Sequence, residues 1–429
     1  MTLLLLLLFL ILFAAVGVPL FAALGASCIT YLTIDAPSFL TMLPQKVWSG
    51  VFSDLLIAMP LFMLAGELMN SGGITKRIIH FCLQLVAPIR GGLGEVNIVA
   101  SMLFGGISGS SIADTAALGS ILIPAMEKAG YPTGASCGIT VASSTMGMII
   151  PPSTNMIIFG MISGASVGAL FVAGAVPGIL IGLSQLILVY VISVRKGWHP
   201  PKASFHGREF FQSFASGLPA LLMPVFIVVC VSFGIVTTSE CAGAAVLYTL
   251  VVGFFVYHEL TWKAIWEALK RTFISSASLM IIIGFTGIFT WIMTIMNVPR
   301  AVAELFMMLN LPKAGVIILF VAFILFIGTF IDVGPALLML TPIMLPVMES
   351  YGFSTLQFGA MMITGLAIGL VTPPVGMCLN ACNKITRLPI TTIFREAAPY
   401  LCCNVLVLLA IGSIPALTTW LPQLLGYTL

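Results

Sequence analysis

The chain has 429 residues, of which 60% are hydrophobic and only 7% are charged, and its mean hydropathy is +1.16. Soluble domains carry about 25% charged residues, so this composition excludes a soluble globular protein and predicts a chain whose solvent is lipid. The net charge of +3 is small and gives no indication of nucleic-acid binding, and the nine cysteines are scattered without disulfide or metal-ligand spacing.

Apolar stretches long enough to enter or cross a membrane recur along the whole chain. The first, near 3–25, has no basic segment before it and continues past Ala22, so we interpret it as a spanning helix and not as a signal peptide. Two short amphipathic stretches are predicted at 74–88 and 299–311. The other apolar stretches are 50–70, 93–107, 133–170, 172–194, 217–233, 240–257, 272–296, 314–331, 355–388 and 398–421, and of these 133–170 and 355–388 are interrupted.

The chain contains an internal repeat. A shift of 222 residues aligns 104–155 with 326–377 without a gap, and 12 of the 52 pairs are identical. The pairs include Glu127 with Glu349 and two Pro-Pro dipeptides, which carry more information than matches between apolar residues. The predicted organisation is an N-terminal spanning helix and linker (1–49), a first repeat (50–194), cytoplasmic loops with two linking spans (195–271), a second repeat (272–421) and a C-terminal tail (422–429).

The positive charges indicate how the two repeats are oriented. We take 107–130 and 329–352 as parts of re-entrant hairpins and place the N-terminus in the cytoplasm. Of the 17 Lys and Arg residues, 14 then fall in cytoplasmic segments, and only Lys46, Arg300 and Lys313 fall outside. Each half has an odd number of crossings and two spans join them, so the second repeat is predicted to be inverted. A parallel duplication, or none, is the alternative.

The first polar segment, 105–114 (GGISGSSIAD), lies at the predicted tip of the first hairpin. Gly costs about 1 kcal/mol relative to Ala in a helix, so this run favours unwound backbone. A bilayer tolerates unwound backbone only where it is buried in protein or lines a cavity. Backbone carbonyls and Ser hydroxyls there are hard oxygen ligands, which suit a small cation. Close helix packing through small residues is the alternative.

The second polar segment, 143–155 (SSTMGMIIPPSTN), interrupts an apolar stretch. Pro151 and Pro152 remove two backbone donors, so one half-helix ends in free carbonyls and the next begins near Ser153 with the positive end of its dipole. Carbonyl ends suit Na⁺ and helix N-termini suit a carboxylate, and paired Pro-interrupted segments are the best sequence indication of a transport site. A purely structural kink is the alternative.

The second repeat contains matching segments. Its hairpin tip is 328–335 (GTFIDVGP), in which Asp332 aligns with Ser110. Its interruption comprises Thr364–Gly365 and 371–376 (VTPPVG), with Asn380 one turn further on.

Intramembrane carboxylates are costly and indicate function by default. Asp114 and Asp332 could ligate a cation, cap a half-helix or bond across their hairpin, and hairpin stabilisation is the leading alternative for both. Glu67 is expected near a membrane boundary or at a helix interface. No Lys or Arg lies in the hairpin tips or Pro-Pro breaks, so an anionic substrate would need helix N-termini and co-bound cations. The sequence has no HExxH, GxSxG, Walker A or dinucleotide motif, so no enzyme is predicted.

At these residues the sequence resembles the large membrane subunit of the tripartite ATP-independent periplasmic (TRAP) transporters, the DctM/SiaM family. The resemblance spans essentially the whole chain. Its motifs are 106–114 (GISGSSIAD), 123–131 (IPAMEKAGY), 147–153 (GMIIPPS), 332–335 (DVGP), Pro342 with Pro346, and 372–376 (TPPVG).

The resemblance implies an all-α polytopic protein of the bacterial inner membrane with an elevator-type, ion-transporter-superfamily-like fold. A mobile domain of hairpins and broken helices would slide against a scaffold, and 74–88 and 299–311 would be arm helices. The N-terminus would be cytoplasmic and the C-terminus periplasmic. Its expected partners are membrane lipid, a separate small membrane subunit of about four spanning helices, and a periplasmic substrate-binding protein.

The implied activity is Na⁺-driven import of a carboxylate such as sialic acid or a C4-dicarboxylate, with two or more Na⁺ sites. The residues that would ligate Na⁺ are Ser108, Gly109, Ser110, Ser111, Ser143, Ser144, Thr145, Gly328, Asp332, Thr364 and Thr372, with Asp114 as a structural or cation-linked carboxylate. Those that would face the substrate are Pro151, Pro152, Ser153, Thr154, Asn155, Pro373, Pro374, Val375, Gly376 and Asn380.

Two other functions stay open on the sequence. One is a stand-alone Na⁺- or H⁺-coupled dicarboxylate carrier or antiporter, which would transport without a binding protein. The other is a channel or a non-transporting scaffold subunit. A channel would pass current without Na⁺ stoichiometry, and a scaffold would tolerate loss of Asp332.

Overall fold

The computed structural model describes residues 6, 8–10, 12–13, 16–86, 91–198, 207–308 and 311–427, without the side chains of 107–108, 207 and 307. Within these ranges the chain is helical and has no strand, which confirms the predicted all-α class. The helices are α1 (Leu20–Asp35), α2 (Leu43–Val51), α3 (Asp54–Ser71), α4 (Ile74–Val86), α5 (Gly92–Ser108), α6 (Ser111–Lys128), α7 (Thr133–Ser144), α8 (Thr154–Ser163), α9 (Val167–Lys196), α10 (Gly207–Ser232), α11 (Thr238–Val251), α12 (Trp262–Ile295), α13 (Val298–Met308), α14 (Lys313–Gly328), α15 (Val333–Ser350), α16 (Thr355–Gly369), α17 (Met377–Thr386), α18 (Ile390–Ser413) and α19 (Ala416–Leu424).

Seven helical segments in the described part of the chain are long and apolar enough to cross a membrane. They are Asp54–Ser71, Val167–Lys196, Arg208–Ser232, Thr238–Val256, Trp262–Ile295, Val333–Ser350 and Ile390–Ser413. A soluble fold would leave their apolar faces in water, so the chain is a multi-pass membrane protein.

The N-terminal apolar run differs from its prediction. A single spanning helix was expected near 3–25, but the structure has a turn at Val16–Gly17, and α1 begins only at Leu20, directly after Pro19. Proline fixes φ and lacks a backbone N–H, so it favours the first positions of a helix and disfavours its interior. The structure also resolves the expected linker into a 3₁₀ turn (Pro37–Met42) followed by α2.

The helix bounds follow the offset of 222 over most of the chain. Helix α6 (Ser111–Lys128) corresponds residue for residue to α15 (Val333–Ser350), and α7 and α8 correspond to α16 and α17 within a few residues. The correspondence also extends beyond the repeats predicted from sequence, because α1 matches α11. The second linking span, α11, therefore has a counterpart at the N-terminal end of the first half.

Helices of the first half pack against helices of the second half in a reciprocal pattern. Helix α8 packs against α15, and its counterpart α17 packs against α6. Likewise α7 contacts α18 while α16 contacts α9, and α3 contacts α11 while α12 contacts α1. Such paired exchange is what an approximate two-fold relation between the halves produces.

Each half contains a hairpin and a broken helix. In the first half, α5 ends at Gly109, whose left-handed backbone (φ +60°) suits glycine. The break after α7 contains a 3₁₀ turn, Thr145–Met148, and a cis bond between Pro151 and Pro152. The second half has a cis bond between Pro373 and Pro374 at the matching place.

The first halves of the broken helices occupy the centre of the molecule. From Leu356 to Gly369 every residue of α16 is buried, and so is Ala135–Ser144 of α7. A helix buried on all sides has to be apolar or small all round. The polar side chains on α7 therefore need partners inside the protein, and those partners define the candidate site.

Candidate functional site

The tip of the first hairpin is fastened to the first break. The Gly109 N–H donates to the Gly105 carbonyl (3.1 Å), and the Gly109 carbonyl accepts from Thr154 Oγ1 (3.3 Å). Ser110 caps α6 by accepting from the Ala113 N–H. The Ser111 hydroxyl is buried and has no hydrogen-bond partner among the described residues. The predicted Ser108 side chain lies outside the described residues.

The predicted hydroxyls at the end of α7 form a buried row. Ser143 Oγ lies 2.8 Å from Ser101 Oγ, and Ser144 Oγ lies 2.9 Å from Thr115 Oγ1. Ser143, Ser144 and Thr145 each also donate to a carbonyl one turn back. A hydroxyl that donates its proton keeps lone pairs on its oxygen. The row therefore presents hard oxygen atoms of the kind that bind small cations in proteins.

Asp114 lies against the first break and not at the hairpin tip. It is fully buried, and a Cβ added to Gly147 would overlap its Oδ2 at 2.2 Å. Only glycine leaves room for this carboxylate beside the backbone. The structure thus brings Asp114 and the Ser143–Thr145 row of the first half together.

The second half-helix of the first broken helix, α8, begins just after the cis proline pair. Ser153 is buried and donates to the Met148 carbonyl (2.6 Å), which closes the loop between the two half-helices. Asn155 is also buried, and Pro151 and Pro152 are buried with it. The N-terminus of α8 is therefore covered by protein in this structure.

The matching break in the second half is more open. Pro374 and Val375 are exposed, and Asn380 donates to the Val375 carbonyl (2.6 Å) across the turn at Gly376. Thr372 donates to the Ile368 carbonyl (3.1 Å). Two breaks that are related by sequence thus differ in accessibility.

The second hairpin tip assigns different roles to its two predicted ligands. Asp332 caps α15 by accepting from the Val333 N–H (2.8 Å). Gly328 packs against the second break, because a Cβ on Gly369 would lie 2.5 Å from the Gly328 Cα. The Thr364 hydroxyl is buried in α16 without a partner among the described residues. The geometry supports hairpin capping by Asp332 and close packing by Gly328, and leaves Thr364 available as an oxygen ligand.

Sequence reasoning missed several polar residues that the structure places here. Asn404 of α18 donates to Thr145 Oγ1 (3.1 Å) and accepts from Gln185 of α9 (2.8 Å). Asn97 donates to Thr140 Oγ1 (2.6 Å), next to the Ser101–Ser143 pair. The sequence signal that could have identified these residues is an amide side chain in an otherwise apolar span, since a polar side chain at membrane depth needs a protein partner.

The two halves meet near Cys378, at the start of α17. Its thiol is fully buried. Helix α17 packs against α6, the helix that contains Asp114. Three or more His, Cys, Asp or Glu side chains do not cluster anywhere in the described ranges, so any cation there would be held mainly by hydroxyl and carbonyl oxygens.

A cavity of about 160 Å³ lies beside the first hairpin tip. Its walls come from α3, the hairpin and α12. Glu67 of α3 lies on the edge of the cavity and faces Arg271 of α12, with 3.7 Å between Glu67 Oε2 and Arg271 Nε. Glu67 therefore lies at a helix interface, which is one of the two positions predicted for it. The polar residues of the lining are Glu67, Asn70, Ser110, Arg271, Thr272 and Ser275.

Comparison with known proteins gives consistent results over nearly the whole chain. The family model described as "Tripartite ATP-independent periplasmic transporter, DctM component" matches residues 6–417. The sialic acid TRAP transporter large permease protein SiaM of Vibrio cholerae serotype O1 is 36% identical over 413 residues, which are 96% of each chain. The C4-dicarboxylate TRAP transporter large permease protein DctM of Pseudomonas aeruginosa is 34% identical over 405 residues, or 94% of each chain.

A solved structure is similar in fold. The YdaH transporter of Alcanivorax borkumensis superposes with a TM-score of 0.61, covering 95% of this chain and 97% of the other, at 16% identity. At this identity the likeness concerns the fold alone. The relatives are permeases and not enzymes, in agreement with the prediction from the motifs.

Proposed function

The chain belongs to the DctM component family of the tripartite ATP-independent periplasmic transporters, and from this premise we propose that it is the large translocating subunit of a Na⁺-coupled importer. It receives a carboxylate solute from a periplasmic binding protein and moves the solute inward. It works with a small membrane subunit in the bacterial inner membrane, with a cytoplasmic N-terminus and a periplasmic C-terminus.

One observation carries the proposal. The first hairpin and its Pro-Pro break meet at a buried row of hydroxyl oxygens beside Asp114. Helix α16, which leads into the repeat-related second break, packs against the Thr145–Met148 turn of the first break. Irregular backbone at membrane depth is tolerated where it forms a site, and discontinuous helices are how transporters present carbonyls to Na⁺ and helix N-termini to anions. The oxygen-rich lining of this region supports cation binding at Ser143, Ser144, Thr145 and Thr364.

The substrate-facing residues are proposed at the N-termini of α8 and α17. Ser153, Thr154 and Asn155 begin one, and Val375, Gly376 and Asn380 lie at the other. No Lys or Arg belongs to either segment. A bound carboxylate would therefore be balanced by helix dipoles and by a cation bound beside it, and this need for a nearby cation supports the proposed coupling to Na⁺.

We propose movement of the elevator type. In this mechanism α5–α9 and α14–α18 would move together, because their contacts are extensive and include the buried amide bonds of Asn404 and Gln185. The remaining helices would form the scaffold, with α4 and α13 as the arms. The sialic acid and C4-dicarboxylate permeases among the relatives support a carboxylate as the solute.

Reconstitution tests the proposal. The chain, its small subunit and its binding protein are placed in vesicles, and uptake of labelled sialic acid or succinate is measured with and without an inward Na⁺ gradient. We expect uptake only with both the gradient and the binding protein. Full uptake without the binding protein would favour a stand-alone carrier, and current without a fixed Na⁺ ratio would favour a channel.

A further inference from the structure

The cavity between α3, the first hairpin and α12 holds a positive charge that the predicted binding residues lack. Arg271 lines it together with Glu67, and the hairpin-tip residue Ser110 forms its inner end. Because Ser110 caps α6, an 18-residue helix, the positive end of that helix dipole faces the same space. Two sources of positive potential therefore act on one cavity.

Arg271 is held loosely. Its Nε lies 3.7 Å from Glu67 Oε2 and donates to the Glu267 carbonyl at 3.4 Å. Both side chains of the pair keep solvent access, at 59% for Arg271 and 33% for Glu67. In the described part of the chain, the two terminal guanidinium nitrogens have no bonded acceptor. An incoming carboxylate could bind them in the bidentate manner that arginine favours.

Thr272 provides a second, independent indication of a ligand. It is only 6% exposed, it lines the cavity, and its hydroxyl is buried without a hydrogen-bond partner among the described residues. A buried hydroxyl left without a partner is costly. A ligand oxygen in the cavity would satisfy it, and Ser275 and Asn70 offer further polar groups in the same lining.

We propose that this cavity is an anion subsite for the carboxylate of a small organic acid. The carboxylate would pass from the first hairpin tip to Arg271, where it would compete with the Glu67 carboxylate for the guanidinium group. The inference rests on the proposed import function. It adds a subsite on the scaffold helices α3 and α12, separate from the residues at the two Pro-Pro breaks. At about 160 Å³ the cavity is smaller than the roughly 300–1,000 Å³ pockets of drug-sized ligands, so it suits a small diacid or one charged end of a larger solute.

Charge-selective labelling tests the subsite without requiring transport. Ser275→Cys in the full-length chain places a thiol in the cavity lining. In detergent solution its labelling rate is compared for the anionic 2-sulfonatoethyl and the cationic 2-trimethylammonioethyl methanethiosulfonates. The native cysteines, including exposed Cys402, also react. Their background labelling is measured on the chain that retains Ser275 and is subtracted.

We expect Arg271→Gln to lower the anion-to-cation rate ratio by about fivefold or more, because a nearby unit charge acts oppositely on the two reagents. Glu67→Gln should raise the ratio. Lys270→Gln is the matched control: Lys270 pairs with Glu267 outside the lining, and solvent screening should keep its effect within about twofold. An unchanged ratio in Arg271→Gln, or an equal change in Lys270→Gln, would overturn the proposal.

Protection by a ligand supplies the second readout. Millimolar succinate should slow labelling of Ser275→Cys severalfold, and Arg271→Gln should abolish this protection. Equal protection by chloride would show general screening and would contradict an organic-acid subsite. A chain that shows both effects yet takes up solute without Na⁺ would refute the proposed coupling and leave the subsite standing, so the two proposals fail separately.

Discussion

At the scale of single residues, several polar side chains of the core are held by hydrogen bonds to one another. Asn404, Gln185 and Thr145 form a chain of hydrogen bonds between α18, α9 and the first break, all of it buried. An unsatisfied polar group in such a place costs about 1–3 kcal/mol. These hydrogen bonds therefore help to fix the position of the hydroxyl row.

Two substitutions of Asp332 can separate its two possible roles, helix capping and cation binding. Asn can still cap a helix whereas Ala cannot, and loss of a cap costs about 0.5–2 kcal/mol. If the carboxylate charge serves cation binding, Asp332→Asn should retain the unfolding temperature and lose most Na⁺-driven uptake. Asp332→Ala should lose both, while the protein still inserts. Uptake and thermal unfolding are measured on the same purified variants.

Wild-type uptake by Asp332→Asn, together with a lower unfolding temperature for Asp332→Ala, would restrict Asp332 to hairpin capping. Ser110 is the repeat-related cap residue, and Ser110→Ala serves as the comparison for a cap that carries no charge.

At the scale of helices, hydropathy and proline placement predicted many elements to within a few residues, but α10, α12 and α18 begin at Gly207, Trp262 and Ile390, well before their predicted starts at 217, 272 and 398. The predicted interruptions of 133–170 and 355–388 correspond to the breaks between α7 and α8 and between α16 and α17. The N-terminal apolar run was predicted less well, as one continuous spanning helix. Hydropathy averaged over many residues does not detect the helix break that Pro19 introduces.

The site was predictable in part for a physical reason. Gly, Ser and Pro at membrane depth mark unwound backbone, so the hairpin tips and breaks could be located from sequence. Which hydroxyls meet which partners depends on long-range packing, such as Ser101 of α5 against Ser143 of α7. The contact of Asp114 with Gly147 could not be predicted either, since sequence spacing does not specify contacts between helices.

Glycine contacts join each hairpin to its break. A Cβ at Gly369 would lie 2.5 Å from backbone atoms of Gly328, which cannot move aside as a flexible side chain can. We expect Gly369→Ala to destabilise the protein by about 1–3 kcal/mol, the usual cost of overpacking. Thermal unfolding in detergent measures this cost.

Gly243 is the matched control for that substitution. It also lies in a helix, but a Cβ there would meet nothing within 4 Å. Gly243→Ala should leave the unfolding temperature unchanged or raise it, because Ala favours a helix over Gly by about 1 kcal/mol. Equal behaviour of the two variants would show that the Gly328–Gly369 contact is not tight in the protein.

At the scale of the whole molecule, the proposed elevator mechanism requires two bodies to move against each other. The second hairpin touches the scaffold at Gly334, where a Cβ would lie 3.6 Å from Leu279 of α12. Within the proposed moving body, Gly359 touches Phe159 across the two halves, with a Cβ distance of 2.6 Å to the ring. In the proposed mechanism, transport breaks the contact between Gly334 and Leu279 and keeps the contact between Gly359 and Phe159.

Mercury cross-linking of these contacts tests the central claim most directly. Gly334→Cys with Leu279→Cys, and Gly359→Cys with Phe159→Cys, are compared with the wild-type chain and its nine native cysteines. Uptake into vesicles is measured before Hg²⁺, after Hg²⁺ and after a reducing thiol. We predict that the bridge between Gly334→Cys and Leu279→Cys stops uptake reversibly and that the bridge inside the moving body leaves uptake intact. Unimpaired uptake with the second hairpin fixed to α12 would contradict the proposed elevator movement.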